Sequence, residues 1–241
     1  MSVVLVAGAA GQLGAVIVDT LRTRGATLVL ADIDSTALER VRDGDLAVTT
    51  DLRDGGQVEA LVGRAIDDYG AVDAVVNGAG VEGPIAPLEG ISTEELVDLY
   101  DVNVFGPFRL LKALLPHFKE RQQGRIVNVA SGAGLAGTEY MTAYSSSKHA
   151  LVGLTRSLAR EVARDHIAVN AVCPGCVESP MMTRIEQEME RFGGEGSFVD
   201  AIPARRYATA REVAETVAFL ALDAPPYLTG AAIVIDGALR A

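Results

Sequence analysis

Short apolar runs alternate along the chain with longer segments in which apolar residues recur every three to four positions. Residues 3–7, 27–31, 46–49, 74–77, 125–129, 167–172 and 232–235 read as strands. They are apolar nearly throughout, the pattern of strands covered on both faces of a parallel sheet. The helical period runs over 12–24, 35–42, 55–69, 92–120, 142–164 and 210–222. Repeated β-α-β units with short connections predict a doubly wound α/β fold. It would be a seven-stranded, mostly parallel sheet with helices on both faces and ligands at the carboxyl ends of the strands. No linker, repeat or low-complexity tract divides residues 1–241, so a single domain is expected.

Residues 176–209 break the alternation. They carry Met181, Met182, a charged stretch from Arg184 to Arg191, Gly193, Gly194, Gly196 and Pro203. Glycines around a short amphipathic piece predict a mobile lid over the ligand end of the sheet.

The first strand leads into Gly8-Ala9-Ala10-Gly11-Gln12-Leu13-Gly14, and a helical pattern follows. Glycines let the backbone turn tightly and approach a pyrophosphate, and the helix N-terminus supplies unpaired N–H groups. In this position the turn predicts a Rossmann-type dinucleotide site rather than a merely structural turn. The second strand ends in Ala31-Asp32-Ile33-Asp34. A carboxylate there accepts both ribose hydroxyls of an adenosine and repels a 2′-phosphate. No Arg or Lys lies in 8–20 or 30–39 to offer a phosphate partner. NAD is therefore expected over NADP, with Asp32 as the ribose ligand and Asp34 as the cap of the next helix.

Tyr144-Ser145-Ser146-Ser147-Lys148 opens the helical pattern 142–164. A spacing of four stacks phenol and ammonium one turn apart on one face. Lys occurs only at 112, 119 and 148, which suggests that a compact charge is wanted at 148. A buried ammonium beside the phenol is expected to lower its pKa toward neutrality and make Tyr144 a general acid/base. Upstream, the fifth strand runs into Ser131, whose hydroxyl is positioned to bond a substrate oxygen.

These residues, with Asn77-Gly78-Ala79-Gly80, Asn103 and Cys173-Pro174-Gly175, resemble the classical short-chain dehydrogenases/reductases. The landmarks follow that family's order from residue 3 to Asp236-Gly237. The resemblance implies that Tyr144 exchanges a proton with the substrate oxygen, that Ser131 orients that oxygen, and that Lys148 binds the nicotinamide ribose and tunes Tyr144. It also implies that Asn103 holds a water in the proton relay and that Asp51 and Leu52 meet the adenine. The turn Asn77, Ala79 and Gly80 would lie along the cofactor, and Pro174, Val177 and Ser179 would hold the nicotinamide end. Two positions depart from the family's pattern. Gln12 stands where glycine is usual, which bears on pyrophosphate geometry, and Gly78 stands where a second Asn is common. The glycine spacing of 8, 11 and 14 occurs in the family's extended epimerases and dehydratases, but the chain after Lys148 is too short for their substrate domain.

A formal net charge of −11 repels phosphate backbones and anionic lipid, so neither nucleic acid nor a membrane surface is an expected partner. Residues 3–10 are apolar but lack a basic flank and run into the glycine turn, so they do not read as a signal peptide. No apolar run is long enough to span a bilayer. Two cysteines form no disulfide framework, and the expected compartment is the cytoplasm. Cys173 and Cys176 form a C-x-x-C outside the redox context such motifs need, and His117, His149 and His166 have no metal spacing, so no metal is expected. Apolar stripes at Leu110, Leu111, Leu114, Leu115 and Phe118, and at Ala150, Leu151, Leu154 and Leu158, are core and wide enough to meet a partner. The resemblance implies a homotetramer through these two helices.

The expected activity is thus an NAD-dependent interconversion of a secondary alcohol and a ketone. The alternatives are a non-turning-over NAD-binding regulator or scaffold and a 3-oxoacyl-thioester reductase. The substrate pocket is expected to include Glu82, Gly132, Glu139, Tyr140 and Cys176, with the two glutamates either opposing acidic substrates or standing as solvated loop charge.

Overall fold

A computed structural model describes residues 1–193 and 196–241. Among the described residues, seven strands form one sheet: β1 (Val3–Ala7), β2 (Thr27–Asp32), β3 (Leu46–Thr49), β4 (Ala74–Asn77), β5 (Gly124–Val129), β6 (Ile167–Pro174) and β7 (Ala232–Ile235). Every pairing is parallel, in the order β3-β2-β1-β4-β5-β6-β7. The chain steps outward from β1 to β3 and then returns beside β1 at β4. This reversal opens a crevice at the carboxyl ends of the central strands.

Side chains of the central strands alternate strictly between two cores. Leu5, Val29, Val75, Ile126 and Val169 face α3 (Gly55–Tyr69), α5 (Gly106–Arg121) and α6 (Thr142–Val162). Val4, Val6, Leu28, Leu30, Val76 and Val127 face α1 (Gln12–Thr23), α2 (Ser35–Val41) and α8 (Ala210–Ala218). Because both faces are dry, the apolar run shows no period of two. The outer strands do not share that burial: β3 and β7 are edges, and Val234 is 43% exposed. They keep apolar sequences while only half covered.

The helical pattern 92–120 divides. Ser92 caps α4 (Thr93–Tyr100) in a capping box with Glu95, and α5 begins at Gly106. Residues 101–105 between them form one wide π-turn, closed by the Gly106 N–H donating to the Asp101 carbonyl. Such a turn carries one residue more than the α spacing allows. Within 176–209 the amphipathic piece is α7 (Pro180–Glu190), capped by the Ser179 hydroxyl. Gly194, part of the expected lid, lies outside the described residues.

Candidate active site

The turn after β1 requires glycine at two of its three glycine positions. Gly8 has φ +77°, and a Cβ there would lie 2.7 Å from the Ala79 Cα. One on Gly14 would lie 2.9 Å from the Gly8 carbonyl carbon. Gly11 makes no such demand, since its Cβ would meet only the Gly8 oxygen at 3.5 Å. As the N-cap of α1, Gly11 offers no side-chain acceptor to the first helical N–H groups. Asp34, Asp54, Ser92 and Thr209 do cap their helices. A backbone cradle ending on an uncapped helix N-terminus fits the pyrophosphate of a dinucleotide. Gln12 is exposed, and its Nε2 donates to the Glu178 carbonyl at 3.2 Å, so the residue that departs from the usual pattern ties the cradle to the base of the lid.

Asp32 ends β2 and accepts from the Ala10 N–H at 2.9 Å and the Asp34 N–H at 3.1 Å, so the carboxylate also shapes the cradle. Asp34 accepts from the Ala37 N–H and is the helix cap. Asp51 is paired with Arg53 at 2.7 Å, and that guanidinium holds its carboxyl below the usual range. Leu52 is buried. Asn77 points inward: its Nδ2 donates to Asn128 at 2.7 Å, and Asn128 donates to Thr155 at 2.8 Å. Its side chain thus couples β4, β5 and α6, and only the backbone of this segment, at Gly78 and Gly80, reaches the cavity.

Across the crevice, Ser131 follows β5, and Tyr144 and Lys148 lie one turn apart near the start of α6. All three line one cavity of about 480 Å³ together with Gly8, Gly11, Gln12, Leu13, Gly14 and Gly80. Burial pushes the Tyr144 hydroxyl up, and the Ser131 hydroxyl, by hydrogen bonding to it, pulls it down. The expected lowering by Lys148 is not what the structure shows. Its Nζ donates to the Val129 carbonyl at 3.2 Å and lies 5.7 Å from the phenol ring centroid. Burial brings the ammonium itself down to about 8.

Asn103 sits in the π-turn, fully buried. Its carboxamide grips both backbone groups of Val81, each at 2.9 Å, and donates to the Ser147 hydroxyl at 3.1 Å. The side chain is therefore spent on protein partners. It positions the 80–81 segment against α6, where a Cβ on Gly80 would lie 3.1 Å from Lys148 Nζ and 3.3 Å from Asn103 Oδ1.

Val177, Met181, Met182, Ile185 and Phe198 form one wall of the cavity. Val177 pairs with Ala208 at its base, and Met182, Ile185 and Met189 of α7 pack with Ile85, Met141 and Tyr144. Arg184 pairs with Glu82 at 2.6 Å, and Tyr207 bonds Glu186. Gly132 and Cys176 line the cavity, as do Pro174, Val177 and Ser179. Glu82, Glu139 and Tyr140 are not in its lining. Glu82 is turned to Arg184, Glu139 is exposed, and Tyr140 (φ +58°) stacks on Phe192 at 5.4 Å. Sequence reasoning missed Leu239 and Arg240, which also line it. No local pattern marks them, because the 238–241 turn reaches the cavity only through tertiary folding.

Burial pushes the Cys176 thiol up to about 11 and the Cys173 thiol up as well, opposite to what a redox pair needs. Among the described residues no group of three or more His, Cys, Asp or Glu could hold a metal, and no helix is long and apolar enough to cross a membrane.

The sequence profile described as Enoyl-(Acyl carrier protein) reductase matches residues 8–239. Levodione reductase of Leifsonia aquatica is 34% identical, covering 98% of this chain and 92% of that protein. The crystal structure of 3-ketoacyl-(acyl-carrier-protein) reductase from Brucella melitensis complexed with NADH superposes with a TM-score of 0.92. It is 31% identical and covers 100% of this chain and 98% of that one. The structure of ElxO with NADP bound gives a TM-score of 0.89 at 26% identity, covering 99% and 98% of the two chains.

Proposed function

Because the chain belongs to the classical short-chain dehydrogenase/reductase family, we propose that it is an NAD(H)-dependent oxidoreductase interconverting a secondary alcohol and a ketone. One observation carries the reading: Ser131, Tyr144 and Lys148 line the same cavity as a glycine cradle.

A bound nicotinamide dinucleotide supplies the hydride acceptor in oxidation and the hydride donor in reduction. Tyr144 Oη takes the alcohol proton in oxidation and returns it in reduction. Ser131 Oγ donates to the substrate oxygen and stabilises the charge that develops there. Lys148, fixed by the Val129 carbonyl, binds the nicotinamide ribose. Asn103, through Val81, holds the Gly80 backbone against Lys148. Gly8, Gly11, Gln12, Leu13 and Gly14 take the pyrophosphate. Asp32 takes the ribose, Asp51 and Leu52 the adenine end, Ala79 and Gly80 the middle, and Pro174, Val177 and Ser179 the nicotinamide end. NAD is favoured over NADP by the Asp32 carboxylate and the lack of a basic residue in 8–20 and 30–39.

The test is NADH absorbance with NAD and a panel of secondary alcohols. A Tyr144→Phe variant that kept full turnover would refute the assigned proton transfer. The likeness to the Brucella reductase favours a second reading, 3-oxoacyl-thioester reduction. Acetoacetyl-CoA outcompeting free ketones would select it.

The assembly we propose is a homotetramer through α5 and α6, where Leu115, Ala150 and Leu154 of the stripes remain partly exposed. Leu110, Leu111, Leu114 and Phe118 of α5 and Leu151 and Leu158 of α6 are buried in the protomer. The outward apolar residues on the α4–α5 segment are Val97, Phe105 and Phe108, each about half exposed.

A further inference from the structure

The charged side chains in the described lining of the catalytic cavity are Lys148, Arg184 and Arg240, with no Asp or Glu among them, in a chain of net charge −11. Arg184 is turned to Glu82. Arg240 is different. Its guanidinium lies against Gly132, next to Ser131, so closely that a Cβ on Gly132 would sit 2.8 Å from its Cζ. Nε and Nη1 are buried and have no hydrogen-bond partner. The nearest carboxylate, Asp236, stands 3.7 Å from Nη1, close enough to hold the charge and too far to accept a hydrogen bond. Asp236 instead accepts the Arg240 backbone N–H at 3.1 Å, which fixes the turn that carries the side chain. Buried donors without acceptors are rare in folded proteins, and those on a charged group are the most costly to leave unmade.

Resting on the oxidoreductase reading above, we propose that Arg240 is a binding residue for an anionic group of the substrate. The substrate class is then a carboxylate-bearing ketone and the matching hydroxy acid. Arg240 lies against Gly132, next to Ser131, so its ligand is the reacting molecule. The carboxylate meets the guanidinium at Nη2, the nitrogen that is not buried, and the ketone oxygen faces Ser131 and Tyr144. The two glutamates do not oppose acids, because one is neutralised by Arg184 and the other is exposed outside the lining.

The experiment measures NADH consumption with pyruvate, acetoacetate and levulinate, each beside its uncharged methyl ester, for the wild type and for Arg240→Met and Arg240→Lys. At least one acid should exceed its ester by tenfold or more in kcat/KM. Arg240→Met should erase that preference by raising KM for the acid far more than for its ester, without the loss appearing in the KM for NADH. Arg240→Lys should restore part of the preference. Turnover of esters or simple ketones with no acid preferred overturns the proposal while leaving the oxidoreductase reading intact. So does an acid preference that survives Arg240→Met, or an Arg240→Met loss that appears in the KM for NADH. No reduction of any acid, ester or neutral ketone overturns both.

Discussion

Lys148 Nζ stands 5.7 Å from the ring centroid of Tyr144 and spends its hydrogen bond on the Val129 carbonyl. The two groups are therefore neighbours without a direct hydrogen bond, and burial shifts each in the opposite direction. The phenol is pushed up and the ammonium is brought down to about 8.

A stability consequence follows for Lys148. Its folded pKa of about 8 lies below the ordinary 10.5, so the unfolded chain binds the extra proton between those values. The burial penalty is complete below pH 8 and is relieved as pH rises toward 10.5. Lys148→Met should therefore be more stable than the wild type at pH 7 by up to about 3 kcal/mol. That gain should vanish near pH 10.5 in denaturant titrations, while activity is lost throughout.

Proton transfer through Tyr144 sets the sign of the pH dependence. Alcohol oxidation needs the ionised phenol, and burial pushes its ionisation upward, so kcat/KM for oxidation should climb through the alkaline range. Ketone reduction should fall over the same range. Tyr144→Phe should lower kcat by roughly a hundredfold or more, and the residual rate should lose this pH profile.

Asp32→Asn removes the charge and one of two backbone bonds, because the Ala10 and Asp34 N–H groups use different carboxylate oxygens and the amide offers one. The ratio of kcat/KM for NAD over NADP should fall about tenfold or more, equivalent to about 1.4 kcal/mol. Equal losses with both cofactors would instead mean that Asp32 serves only the turn.

Gly80→Ala would drive a methyl against Lys148 Nζ and Asn103 Oδ1. A displaced ammonium should lower kcat by roughly tenfold to a hundredfold, the scale of a small misplacement in an active site. Thermal unfolding should change far less than turnover, which stopped-flow assays and melting curves on the same sample would compare.

Arg184→Ala removes one lid latch. The Arg184 side chain is 56% exposed, so its pair with Glu82 contributes only about 0–1 kcal/mol to stability. The expected effect is a KM raised by roughly threefold to tenfold with melting temperature almost unchanged.

The sheet was legible because burial on two faces writes continuous apolar runs. Residues 3–7 and 74–77 match β1 and β4 to the residue. Edge burial was not legible, since the sequence of β7 looks like that of a central strand. Tyr144, Lys148 and Ser131 stood out because helix spacing and strand ends place them predictably. Arg240 did not, because nothing local tells a turn that its guanidinium will lie on Gly132. The inward direction of Asn77 was hidden for the same reason, as its partner Asn128 lies 51 positions away.

The wide turn at 101–105 makes this stretch intolerant of length change. Deleting any one of its residues would give a regular α-helix, which local energetics would accept. It would also rotate everything beyond by about 100°. Leu110, Leu114 and Phe118 would swing off the sheet, and Asn103 would lose its grip on Val81. A single missing codon here should therefore cost both the core and the catalytic wall, whereas the same loss in the 42–45 connection need only shorten an exposed link.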